Sequence, residues 1–69
     1  MKTSYFIDLD NDNRYDTLNA VRWHVEDMSE ESRASYDGMT VCREVPNGEP
    51  VAVRVIRVNK NGKVTLVKL

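Results

Sequence analysis

Cysteine and histidine are nearly absent from this chain, with Cys42 and His24 the only ones. One thiol rules out an intramolecular disulfide and a cysteine-rich zinc site. One thiol with one imidazole also leaves no catalytic dyad to read from spacing, and Cys42, next to Val41 in an alternating apolar stretch, reads as a small buried hydrophobe. No apolar run approaches the ~20 residues of a membrane-spanning helix. The opening MKTSYFIDLD meets a charge too early for a signal peptide, so the expected location is cytoplasmic, away from membranes. The chain has no G-x-G-x-x-G, P-loop, H-E-x-x-H or nucleophile elbow. So short a chain also has little room for the ~300 Å³ pocket that a small ligand usually needs. The expectation is a non-catalytic protein without a cofactor.

What is present fits a small folded unit. At 69 residues, 41% hydrophobic and 30% charged, the chain reads as a single domain over residues 1–69, near the lower limit for an adequate core, where a homodimer would add buried surface. The net charge of −1 hides an uneven layout. Residues 1–38 hold nine acids and four bases (−5), whereas residues 39–69 hold two acids and six bases (+4). Either the two parts attract each other on folding, or each offers a face of one sign to a partner.

Periodicity supplies the elements. Leu18, Val21, Val25 and Met28 recur at helical spacing over 16–28, with Asp16 or Thr17 as the cap. Tyr5, Ile7 and Leu9 alternate as a first strand, which ends in the turn-forming run DLDNDNRYD. Ser29 followed by Glu30 and Glu31 starts either a short second helix at about 29–36 or a bent continuation of the first, stopped in both cases by Asp37-Gly38. A second strand spans about 39–45, PNGEP makes a tight hairpin, and VAVRVIRV is the third strand, whose apolar phase changes near Val55 and Ile56 through either a bulge or burial of both faces. NKNG then turns the chain into a last strand. The resulting class is α+β: a β-α-β-β-β domain in which an antiparallel meander carries the helices on one face, with the first strand beside the second or last.

Three groups of residues are candidates for function. Trp23 lies off the helix's apolar stripe, beside Asn19, Glu26 and Asp27. With Tyr15 before the helix and Tyr36 after it, Trp23 makes the leading cluster for contact with a protein partner, because exposed aromatics beside charges resemble interface hot spots. The competing reading is that segment 29–38 folds back over the indole. Arg43, Arg54, Arg57 and Lys63, all in or beside the later strands, offer a nucleic-acid interface instead, although those strands contain no aromatic to stack on a base. Asp8, Asp10, Asp12 and Asp16 follow part of a calcium-loop pattern. In that pattern Asn13 stands where glycine is expected and Asn19 where the bidentate glutamate is expected.

The opening MKTSYFI, the helix, YDGMTVCREV, the PNG turn and NKNGKV before a last strand together resemble the layout of small phage-encoded inhibitors, including anti-CRISPR proteins. That resemblance implies a non-catalytic protein that blocks a host complex by covering its surface, with the acidic part mimicking nucleic acid or the basic part contacting it.

Overall fold

A computed structural model describes residues 4–69. Met1, Lys2 and Thr3, the start of the stretch on which the layout resemblance rests, lie outside the described residues. The elements are β1 (Ser4–Ile7), β2 (Asp10–Tyr15), α1 (Leu18–Glu26), α2 (Glu30–Ser35), β3 (Thr40–Glu44), β4 (Val51–Val58) and β5 (Val64–Lys68). The strands form one antiparallel sheet in the order β2-β1-β3-β4-β5. The class is α+β, the later strands form the expected meander, and β1 lies beside β3.

The main departure from expectation is β2. Its sequence, DNDNRY, is rich in turn formers and has no apolar alternation, yet it pairs with β1 through Tyr5 opposite Tyr15 and Ile7 opposite Asp10. Residues 11–14 therefore stand against Phe6 alone, and tertiary pairing has overridden local propensity. Leu9 does not continue β1; it sits in the turn between the two strands and is exposed.

The helices begin where short polar side chains can cap them. Thr17 accepts from the Ala20 amide at 3.0 Å and Ser29 accepts from Ser32 at 3.3 Å. α1 lays Val21 and Val25, both fully buried, onto Ile7, Val41, Ile56 and Val64. Gly38, at φ +91°, turns the chain out of α2 into β3.

The bulge in β4 falls at Val53. Val41 pairs with Arg54 and Cys42 with Ala52, leaving Val53 unpaired. Two consecutive residues thereby turn toward the helix side, which accounts for the change of apolar phase two residues before the expected place. The PNGEP segment is wider than a tight hairpin: residues 45–50 separate β3 from β4, with Asn47 in the left-handed region at φ 63°.

On the sheet's other face Phe6 and Cys42 are directly paired, and both are buried. The Arg14 guanidinium lies 4.5 Å from the Phe6 ring centroid and reaches Glu44 at 3.1 Å, so a charged side chain covers the phenyl ring. No helix among the described residues is long and apolar enough to cross a membrane.

Candidate functional site

The outer face of α1 is set by its inner one. With Val21 and Val25 pointing into the core, Trp23 must point away, and its side chain is 61% exposed. Segment 29–38 does not cover it. Beside it the structure brings together Tyr15, Ala20, His24, Glu26 and Asp27 to line a shallow groove of about 680 Å³, open to solvent along its length. A second open groove of about 480 Å³ runs between α2 and the β4–β5 turn. So the chain does have room for concave surface, in open form.

Within the first groove the side chains have different tasks. Tyr15, which ends β2, packs against His24 with ring centroids 5.3 Å apart and ring planes tilted by 47°. Its hydroxyl is buried without a hydrogen-bond partner among the described residues. Burial first, then the nearby Asp10 and Tyr36, raise the Tyr15 pKa above the usual phenol value, so the group stays neutral. Glu26 is committed inward: it accepts from the Val64 amide at 3.0 Å and from Arg22 at 3.2 Å. The Val64 amide first, then Arg22 and Lys63, hold its carboxyl below the usual range against an opposing desolvation effect. Asp27 caps the end of α1 and keeps an exposed carboxylate beside the indole.

Two expected members of the cluster stand apart from the groove. Tyr36 is half-buried and donates its hydroxyl to Asp10 at 3.1 Å, tying the end of α2 to β2. Asn19 is exposed on α1 outside the groove lining. Ala20 and His24 join instead. Their signal was in the sequence, since a helical wheel places them next to Trp23 on the side facing Tyr15.

The basic residues do not make one surface. Arg43 and Arg54 share the helix side of the sheet with Val41, whereas Arg57 is on the opposite side and 3.9 Å from Asp37. Lys63 precedes β5 beside Glu26.

The aspartates are dispersed as well. Asp8 is in the β1–β2 turn, Asp10 accepts from Tyr36, and Asp12 is exposed on β2. Among the described residues no three His, Cys, Asp or Glu side chains are placed to hold a metal ion. Cys42 is buried, and burial followed by the field of Asp8 pushes its thiol pKa up, which makes it a poor nucleophile. Compared with protein-family models, curated proteins and solved structures, the chain matches none of them.

Proposed function

We propose that the protein is a small non-catalytic interaction module that docks on a protein partner through the outer face of α1, with Trp23 as anchor and Tyr15, His24 and Asp27 around it. The single observation behind this reading is the 61% exposure of the chain's only tryptophan, beside the tilted Tyr15–His24 ring pair in an open groove. A tryptophan contributes most when it exchanges water for a partner's pocket. The groove chemistry favours a partner that presents an arginine or lysine, because the indole face attracts a cation and the Asp27 carboxylate can pair with it. Inhibition of a host complex by surface coverage, as the layout resemblance implies, is one use of such a module.

The test is affinity capture from a lysate of the organism that carries the chain, followed by calorimetric titration of the captured, purified protein. Trp23→Ala is expected to keep the melting temperature within about 3 °C of wild type, since an exposed side chain contributes little to stability. It is expected to weaken binding at least tenfold, the loss typical of a hot-spot residue, about 1.4 kcal/mol or more. A large fall in melting temperature would assign the indole to the core and end the proposal. Unchanged affinity would also end it.

A further inference from the structure

We propose that Arg43, Arg54 and Lys68 form a contact site for the phosphate backbone of a nucleic acid, separate from the Trp23 face. Strand register carries the argument. Arg54 on β4 is directly opposite Lys68 on β5, and its other cross-strand neighbour is Val41 on β3. Arg43 lies two residues along β3 from Val41, on the same face of the sheet. Three cations thus occupy three adjacent strands, a row roughly 10 Å wide at the usual strand spacing. Arg43 and Lys68 are exposed and Arg54 is half-buried, one of its guanidinium nitrogens held by the Val53 carbonyl at 2.8 Å.

Among the described residues no ion pair offsets this charge. The ion pairs among the described residues are Arg14–Glu44, Arg22–Glu26 and Arg57–Asp37, and none of them involves these three side chains. Like charges directly opposite each other across a ladder are destabilising. The fold therefore carries a repulsion that an external anion would relieve.

The shape narrows the class of anion. Neither of the two grooves described above is lined by Arg43, Arg54 or Lys68, and a row of cations across adjacent strands suits a linear series of charges. An acidic protein would need an aromatic or aliphatic anchor to dock firmly, and of the two side chains paired with Arg43, Tyr5 is half-buried against the core and Val51 is small and 47% exposed. A nucleic acid needs no anchor, because phosphate contact and counterion release supply its affinity. The arginine forks suit phosphate oxygens in particular.

The experiment is fluorescence anisotropy of the full chain with a labelled single strand and a labelled duplex of about 20 nucleotides, with polyglutamate as competitor. Three phosphate contacts predict a log–log salt slope of about −2 to −3. Arg54→Gln with Lys68→Gln should weaken binding at least tenfold while melting at or above the wild-type temperature, because the opposed cations are gone. Arg43→Gln, at an exposed position, decides the matter if the double variant folds poorly, and Trp23→Ala should bind the oligonucleotides unchanged. No binding at about 50 mM salt, or full binding by the folded double variant, would overturn the proposal. Polyglutamate that competes as well as unlabelled DNA would overturn it in favour of an acidic protein.

Discussion

Two glycines show how much one side chain can decide. Gly38 and Gly62 both hold positive φ, +91° and +84°, so alanine at either position is strained. A Cβ on Gly38 would meet nothing within 4 Å, whereas one on Gly62 would stand 2.9 Å from Nη2 of Arg33. That arginine is not free to move aside. Its Nη1 donates to the carbonyls of Glu26 at 2.8 Å and Met28 at 3.2 Å, closing the end of α1. Gly38→Ala is therefore expected to cost about 1 kcal/mol and Gly62→Ala about 2 kcal/mol, the difference being the disturbed Arg33 cap. Urea unfolding of the two variants checks this, and equal losses would show that Arg33 yields without cost.

At the scale of elements, Glu26 fastens α1 to the β5 edge by accepting the Val64 amide while paired with Arg22. Its depressed carboxyl pKa has a definite sign. The contact contributes fully above the unfolded-state value and is lost as pH falls through the lower folded-state one. Glu26→Gln can still accept from Val64 but carries no charge. Thermal melts of wild type and variant should thus differ near neutrality and converge on acidification below the ordinary carboxylate range. A gap that persists in acid would mean that the charge of Glu26 does not act.

Most elements were legible because their periods are their packing: Val21 and Val25 mark α1, and the capping side chains of Thr17 and Ser29 mark the two helix starts. The strand β2 was hidden for a physical reason. An edge strand that places mainly Asp, Asn and Arg in its ladder has no apolar alternation to display, and only pairing with β1 makes it extended.

Over the whole molecule, folding does little to cancel the uneven charge. The one ion pair matching an acid from residues 1–38 with a base from 39–69 is Arg57–Asp37, at 3.9 Å between exposed groups, among the described residues. Exposed pairs contribute about 0–1 kcal/mol each. Raising salt from about 50 to 500 mM should then move the melting temperature by only about 5 °C or less. A fall well beyond that would show that attraction between the two parts holds the fold together. The candidate sites were legible to the extent that they lay along one element. Trp23 stood out on the helical wheel of α1. The pairing of Lys68 with Arg54 emerges only by counting outward from the β4–β5 turn, since the two are distant in sequence and adjacent across the ladder. The same register separates Arg57 from Arg43 and Arg54, which sequence proximity alone would have grouped.

The placement of the single indole also has an optical consequence. Because Trp23 is already surrounded largely by water in the native state, its emission is expected to shift little on unfolding, which would make intrinsic fluorescence a poor gauge of this protein's stability. The same property makes it a built-in reporter of occupancy: the event that would shift its spectrum toward the blue is not folding but the arrival of something that shields the outer face of α1.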